Sequence, residues 1–376
     1  MKVALYTETF LPKLDGVVTV TCLLLDHFRE RGVDAIVFSP GPHVESYNGF
    51  RVVSITPSVP MPMYPEARLS IPLRQSYRIL KEFDPDIVHV ANPWCGGIAM
   101  LYYAKMLDKP LVMSFHTHLM AMAKFYKLGF LQTPLWGLHR FLYQKADYRV
   151  ATSKRVVSEL EDHRFGETGL WRRGVDTDVF APRMNGTAMR ERLTAGHPER
   201  TLLLFVGRVA AEKQIEHIAH TLDTIPNTHL AIIGDGPFRP NLEEVFKDRN
   251  ATFAGYLSGD DLTAAYCAAD IFVFPSAIET FGLVVAEAMA VGLPVVSSRV
   301  GGVPELIENG HNGYIFEVND TEQMTVYIQD LIDHPEKRQQ MGQAALQAVQ
   351  GLTWEAINDD LLAEYQRLIE NYSNGQ

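Results

Sequence analysis

The residues best suited to chemistry lie in the second half of the chain. Glu279 and Glu287, spaced as E-x7-E, bracket the segment Thr280-Phe281-Gly282-Leu283, where a helix begins near Phe281-Gly282. The first N–H groups of a helix have no intrahelical acceptor and bind anions or hydroxyl oxygens, while two carboxylates beside them accept hydrogen bonds from polyol hydroxyls. A single glutamate there also fits the plainer role of complementing the helix dipole. Upstream, Gly207-Arg208 is followed by Lys213. An arginine at a strand end and a lysine in the next turn can face one anion, and the same pair also fits solvated surface charge. Gly234-Asp235-Gly236-Pro237 is a tight turn whose glycines let a flat ligand approach the main chain.

The first half offers fewer such groups. Asp15-Gly16-Val17 follows the first strand, and Gly16 is either a close-approach glycine for phosphates or a plain turn. Phe115-His116-Thr117-His118 ends another strand, and one of its two histidines is expected to face the ligand edge. A metal site from that pair lacks a third ligand nearby. The triplets Asp84-Pro85-Asp86 and Asp176-Thr177-Asp178 could hold Mg²⁺ against a diphosphate. The first stands at the wrong end of its strand, and both read as structural, so the site residues include no metal ligand and no cofactor is expected.

These loops need a scaffold of parallel strands. Val3–Tyr6, Ala35–Phe38, Ile87–Val90, Leu111–Phe115 and Tyr148–Ala151 read as strands of one sheet, with helices such as Val17–Arg31 and Gly97–Leu107 between them. A second series, Leu202–Val206, Leu230–Ile233, Ile271–Phe274 and Val295–Ser298, alternates with helical segments after the polar stretch 182–200. The alternation predicts an α/β fold of two doubly wound, Rossmann-like domains, 1–185 and 186–355, with a final helical segment at 356–376. Ligands of such sheets lie beyond the carboxyl ends of the strands. Neither half carries G-x-G-x-x-G or a Walker phosphate loop.

The chain has 376 residues, 47% of them hydrophobic and 21% charged, the composition of a globular protein. Residues 1–185 hold 22 Lys+Arg against 18 Asp+Glu and residues 186–376 hold 12 against 27, so a mildly basic half precedes a strongly acidic one. No basic run points to nucleic acid as a partner. Three scattered cysteines, Cys22, Cys95 and Cys267, fit a reducing compartment, and with no membrane-spanning run a cytoplasmic location is expected.

Taken together, Gly207-Arg208 with Lys213, Gly234–Pro237, the Glu279/Glu287 pair and Gly301-Gly302-Val303-Pro304-Glu305 resemble the retaining glycosyltransferases of family 4, which have the two-domain GT-B fold. The resemblance implies two Rossmann-like domains facing across a crevice that closes on the donor, with the last helix packed back on the first domain. It implies that Arg208 and Lys213 hold a diphosphate, Glu287 the ribose hydroxyls, and Glu279 with the amides of Thr280 to Leu283 the transferred sugar. Gly234, Asp235 and Gly236 then join the donor site, as does Gly16 from the first domain. The strand-end histidine of the family falls on His116, leaving His118 for packing or for the acceptor side. Gln214 stands where many relatives have glycine, an exchange expected to be harmless. The implied reaction retains the donor's α-configuration, uses the leaving phosphate as the base, and needs neither a metal nor a glycosyl-enzyme on Glu279.

Within the family, Thr7-Glu8-Thr9-Phe10-Leu11-Pro12, Phe115–Leu119 and Leu170–Asp176 are most similar to the sulfolipid synthases, which move sulfoquinovose from UDP-sulfoquinovose to diacylglycerol. Lipid mannosyl- and glucosyltransferases share such segments, and a non-catalytic nucleotide-sugar-binding subunit is a third reading. A buried sulfonate calls for a paired cation, for which Arg172 or Arg173 is available. From Pro93 to Lys145 the only carboxylate is Asp108, while lysines including Lys124 and Lys127 alternate with Met, Phe and Trp. Such a surface adsorbs to anionic lipid, so an anionic membrane surface is an expected partner at the cytoplasmic face of a membrane, a photosynthetic one for a sulfolipid synthase. The alternative for part of that run is a core helix whose lysines reach out to water. The stretch Ser58–Pro65 could line an acceptor groove.

Overall fold

The computed structural model describes residues 1–13, 15–41, 44–61, 64–70, 74–182 and 186–374. It divides into two compact units, Met1–Arg173 with Trp354–Gln376, and Gly174–Thr353.

The strands of unit 1 are β1 (Lys2–Thr7), β2 (Asp34–Pro40), β3 (Ser46–Tyr47), β4 (Phe50–Ile55), β5 (Ser58–Met61), β6 (Tyr64–Ser70), β7 (Ile87–Ala91), β8 (Leu111–Phe115), β9 (Tyr148–Ala151) and β10 (Gly169–Leu170). Eight of them form a sheet in the order β10-β9-β8-β7-β1-β2-β4-β3, parallel except for β3, and β5 pairs with β6 separately. Helices cover both faces, which is why β1, β7 and β8 are apolar almost throughout. Ala4, Tyr6, Val88, Val90, Met113 and Phe115 share one buried face. The helix Trp354–Asn374 belongs to this unit. Its Asp359 accepts hydrogen bonds from Arg31 at 2.7 and 2.8 Å and lies 2.8 Å from His27 Nε2, and its Tyr365 is fully buried beside Phe28.

Unit 2 contains β11 (Thr201–Val206), β12 (Thr228–Ile233), β13 (Ala251–Gly255), β14 (Ile271–Phe274), β15 (Val295–Ser298) and β16 (Tyr314–Phe316). They make one parallel sheet in the order β13-β12-β11-β14-β15-β16. Residues 174–182, assigned from sequence to the first domain, lie in this second unit. Val175 sits in its core, and the Val175 N–H donates to Leu352 O at 2.7 Å.

The strands that the alternation does not reveal are at or near sheet edges. β4 carries exposed Arg51 and Ser54, β13 is only half-buried along its length, and β16 is three residues long. Among the described residues no helix is long and apolar enough to cross a membrane.

Candidate active site

In unit 2 four loops line the carboxyl edge of the sheet. The chain leaves β11 through Gly207, at φ 147°, and turns so that the Arg208 guanidinium meets Glu212 Oε1 at 3.0 Å. Glu212 is buried, and its carbonyl accepts the Ala277 N–H at 2.8 Å, tying the loop after β11 to the loop after β14. Sequence reasoning passed over Glu212, although its place four residues after Arg208 was a visible signal.

Lys213 crosses to the same loop. Its Nζ lies 3.0 Å from Glu279 Oε2 and 5.1 Å from the centre of the Phe274 ring. The other oxygen, Glu279 Oε1, accepts the N–H groups of Thr280 at 2.9 Å and Phe281 at 3.4 Å. Burial pushes the Glu279 carboxyl up, but Lys213 and these two amides outweigh it and hold the pKa below the ordinary value. Two of the amides expected to face a sugar thus anchor Glu279 in this structure.

Gly282, at φ 100°, is the last residue before the helix Leu283–Ala290, which has no side-chain cap at its start. Its early N–H groups lack intrahelical acceptors, and there is no acid in the first turn. Glu287, inside that helix, accepts the Tyr266 hydroxyl at 2.7 Å on Oε2. No cation pairs with it among the described residues, and burial raises its pKa to about 7. The two glutamates therefore differ: Lys213 and two amides shift Glu279 downward, whereas burial shifts Glu287 upward.

The glycine turn has a steric cause. A Cβ at Gly234, where φ is 121°, would lie 2.0 Å from Gly207 O, and one at Gly236 would lie 2.3 Å from Val209 O. The loops after β11 and β12 are in main-chain contact and admit no side chain between them. Asp235 Oδ1 accepts the Gly236 N–H at 2.7 Å and its other oxygen pairs with Arg239 at 3.2 Å, so Asp235 is occupied within its own turn. Likewise a Cβ at Gly301 would lie 2.0 Å from Glu279 O, which explains a glycine in the loop that supports Glu279. Gln214 takes φ 52°, and its amide donates to Asn319 at 2.6 Å. This is backbone that glycine adopts freely, so the glutamine carries a cost of roughly 1 kcal/mol instead of being neutral.

In unit 1, Gly16 opens the helix Gly16–Glu30, capped by Asp15, whose Oδ1 accepts Val17 N at 3.0 Å and Val18 N at 2.9 Å. Beyond β8, His116 is buried, with Nε2 2.6 Å from Ser114 Oγ and Nδ1 2.6 Å from Arg173 Nη2. His89 Nε2 lies 2.7 Å from the same Ser114 Oγ, and His89 Nδ1 meets the Tyr365 hydroxyl. Both ring nitrogens of His116 are therefore engaged inside the unit, and its backbone N–H donates to Asn92 Oδ1 at 3.0 Å. Burial, then the Arg173 charge, push its pKa well below the ordinary histidine value.

Arg173 itself is 3% exposed, stacks 4.4 Å over Trp171 and has no carboxylate partner among the described residues. Burial lowers its pKa to about 9, which still leaves a cation at neutral pH. Arg172, next to it, is exposed. His118 serves local structure: Nδ1 accepts the Ala121 N–H at 3.1 Å to cap the helix Leu119–Phe125, and Nε2 donates to Glu159 at 2.9 Å. Lys124 and Lys127 are exposed. The D-x-D aspartates are engaged elsewhere, Asp86 with the Lys2 N–H at 2.7 Å, Asp84 with Lys109 at 2.8 Å, and Asp176 with the N–H groups of Asp178 and Val179 at 3.0 Å. Of the stretch Ser58–Pro65, Pro62, Met63 and the side chains from 61 onward lie outside the described residues.

Comparison with known proteins decides the family. Residues 14–179 match the model of glycosyltransferase family 4, and residues 191–348 match that of glycosyl transferases group 1. A sulfoquinovosyl transferase of Arabidopsis thaliana is 38% identical over 90% of this chain and 68% of its own length. The chain belongs to glycosyltransferase family 4. It is an enzyme of the hexosyltransferase kind, and its two Rossmann-like units are those of GT-B glycosyltransferases. A GDP-mannose-dependent alpha-mannosyltransferase of Corynebacterium glutamicum is 32% identical over 98% of this chain and 89% of its own. Among solved structures, Anabaena HepE in complex with UDP-glucose superposes with a TM-score of 0.80 at 17% identity, covering 98% of this chain and all of that one (100%).

Proposed function

We propose that this glycosyltransferase moves sulfoquinovose from UDP-sulfoquinovose to diacylglycerol, with retention and without a metal, at an anionic membrane surface. The observation that carries the reading is Arg173, a buried guanidinium with no carboxylate partner among the described residues. A buried cation in such a setting favours an anionic ligand group, and the C6 sulfonate supplies one. The likeness to the sulfoquinovosyl transferase supports it.

Arg208 and Lys213 take the diphosphate in this reading, exchanging part of their contacts with Glu212 and Glu279 for phosphate oxygens. Glu287 accepts the ribose hydroxyls, the turn Gly234–Gly236 gives the nucleotide access to main chain, and Glu279 orients the transferred sugar. The bond from the anomeric carbon to phosphate breaks as the acceptor oxygen bonds to that carbon, and the hydroxyl proton passes to the leaving phosphate. Ionised Glu279, already bound by Lys213 and two amides, is poorly placed to act as a nucleophile.

The membrane reading draws on the segment 119–143. Phe130 is 75% and Phe141 54% exposed, with Tyr126 and Leu138 also exposed, among Lys124, Lys127 and Arg140. The same segment buries Met120, His139, Leu142 and Tyr143, so only one face is available to lipid.

A second reading, transfer of mannose or glucose to a lipid, is favoured by the mannosyltransferase that spans 98% of this chain. Glycolipid formation from UDP-sulfoquinovose, UDP-glucose and GDP-mannose, each with and without diacylglycerol, separates the two. Arg173→Ala should lower kcat/KM more on UDP-sulfoquinovose than on UDP-glucose. Equal losses on both donors would eliminate the sulfonate contact.

A further inference from the structure

The motif Thr7–Pro12 leaves one group without a role, Glu8. It is the first residue beyond β1, and β1 lies beside β7, which lies beside β8, so Glu8, Asn92 and His116 stand at the carboxyl ends of three adjacent parallel strands. This is the sheet edge where ligands of such folds bind. Glu8 is only partly buried. Its Oε2 accepts the Tyr6 hydroxyl at 2.9 Å and its Oε1 accepts the Trp94 N–H at 2.9 Å.

The surroundings are built tightly about that carboxyl. A Cβ at Gly96 would lie 2.3 Å from Tyr6 Oη and 2.5 Å from Ser70 Oγ, and one at Gly97 would lie 3.1 Å from Tyr6 Cε1. Both glycines let the helix Cys95–Met106 start against the Tyr6 ring and bring the Trp94 N–H to Glu8. No cation pairs with Glu8 among the described residues, and burial raises its pKa to about 8. A carboxylate present only to complement a helix start is ordinarily ionised and stabilised by that start. At Glu8 burial outweighs its two hydrogen bonds and shifts the carboxyl upward, an arrangement met at groups used for function. The oxygen that does not carry the proton has a second acceptor position, and the partner it suits is a neutral donor.

We propose that Glu8 is an acceptor-contact residue: it receives a hydrogen bond from the hydroxyl group to which the sugar is transferred, the free hydroxyl of a glycerol-type acceptor. Tyr6 is the positioning residue that fixes its orientation. The inference rests on the transferase reading above and adds the group that selects the acceptor oxygen.

The test compares wild type, Glu8→Gln and Tyr6→Phe, using 1,2-dioleoylglycerol in mixed micelles with the three donors named above. UDP affinity is read by calorimetry and folding by thermal melting. Glu8→Gln should lower acceptor kcat/KM roughly 3- to 10-fold, the scale of a lost neutral hydrogen bond. Its UDP affinity and melting temperature should stay close to wild type. Tyr6→Phe should give a smaller loss in the same parameter. An unchanged acceptor kcat/KM in Glu8→Gln overturns the inference, and so does a parallel fall in UDP affinity and melting temperature, which would make Glu8 a structural support. A wild type that glycosylates no dioleoylglycerol from any donor overturns the lipid-transfer reading itself, and the inference with it, whereas an active wild type with an indifferent Glu8→Gln overturns the inference alone.

Discussion

Arg173 Nη2 lies 2.6 Å from His116 Nδ1, and this contact heads a chain of three further groups. An arginine can only donate, so His116 Nδ1 is the acceptor and its proton sits on Nε2. That N–H then donates to Ser114 Oγ, 2.6 Å away, and the same oxygen lies 2.7 Å from His89 Nε2. His89 Nδ1 in turn faces the Tyr365 hydroxyl. One guanidinium fixes the His116 tautomer and, through Ser114 and His89, links the strand-end histidine to the last helix.

In ¹⁵N spectra His116 should show the neutral Nε2–H form. Both histidines have lowered pKa values, burial being the first cause and Arg173 the second, with His89 at about 3. The unfolded chain binds protons below about pH 6.5 while these buried rings do not, so stability falls as the pH drops through that value. Each ring adds a slope of roughly 1.4 kcal/mol per pH unit there. Arg173→Leu should raise the His116 pKa, though not to the ordinary value, because burial remains. A His116 signal that stays on Nε2–H with an unmoved pKa in Arg173→Leu would show that the guanidinium does not set the tautomer.

The Lys213–Glu279 pair, 3.0 Å apart and largely buried, predicts an asymmetric mutational response. Lys213→Met leaves a buried carboxylate without its counter-charge and should destabilise the protein by about 3 kcal/mol. Adding Glu279→Gln should recover most of that loss without restoring transfer. Because the Glu279 pKa is lowered in the folded protein, its contribution is present above about pH 4.3 and disappears in stronger acid. Urea unfolding of the single and double variants at pH 7 and pH 4 measures both effects. Additive losses in the double variant would deny the coupling.

Glu287 should behave in the opposite sense. Its folded pKa of about 7 is raised by burial, so the stability it confers is complete below the unfolded value near 4.3 and is lost as the pH rises through 7. Glu287→Gln should thus stabilise the free protein at pH 8 by about 2 kcal/mol while weakening UDP binding roughly 10- to 100-fold. Wild-type UDP affinity should rise about tenfold from pH 6 to 8 relative to the variant, as ionised Glu287 becomes available to ribose hydroxyls. Parallel pH curves for the two proteins would remove Glu287 from the ribose site.

What could be read from the sequence follows how far apart the cooperating residues lie. Arg208, Lys213, Glu279 and Glu287 occupy short loops after apolar strands, so residue type and spacing were enough to single them out. The ring of His89, Ser114, His116, Arg173 and Tyr365 spans much of unit 1, and His89 and Tyr365 are 276 positions apart. No local pattern connects them. The same holds for Glu8 and the Trp94 N–H, 86 positions apart. Central strands were legible because burial on both faces makes them continuously apolar, whereas β4 and β13, open to solvent on one side or both, carry a diluted pattern. The division at 173/174 was obscured because Val175 enters the second core before the polar stretch begins.

The exposed face of segment 119–143 separates apolar insertion from charge attraction. Phe130 and Phe141 are 75% and 54% exposed, and Lys145 lies 4.4 Å over the Phe141 ring, so cation and ring would reach a lipid surface together. Burying one such phenylalanine in the interfacial layer contributes about 1.5–3 kcal/mol, and each basic residue near an anionic surface about 1 kcal/mol. Phe130→Asp with Phe141→Asp should therefore abolish sedimentation with vesicles of either charge. Lys124→Glu with Lys127→Glu should reduce sedimentation with anionic vesicles by at least tenfold and leave weak binding to zwitterionic vesicles unchanged. The lysine effect should shrink as salt shortens the Debye length, and the phenylalanine effect should persist. Since Leu142 and Tyr143 hold the other face of the helix Gln132–Tyr143 in the core, melting temperatures should stay near wild type. Variants that fold normally and still sediment with anionic vesicles would place the lipid contact elsewhere on the chain.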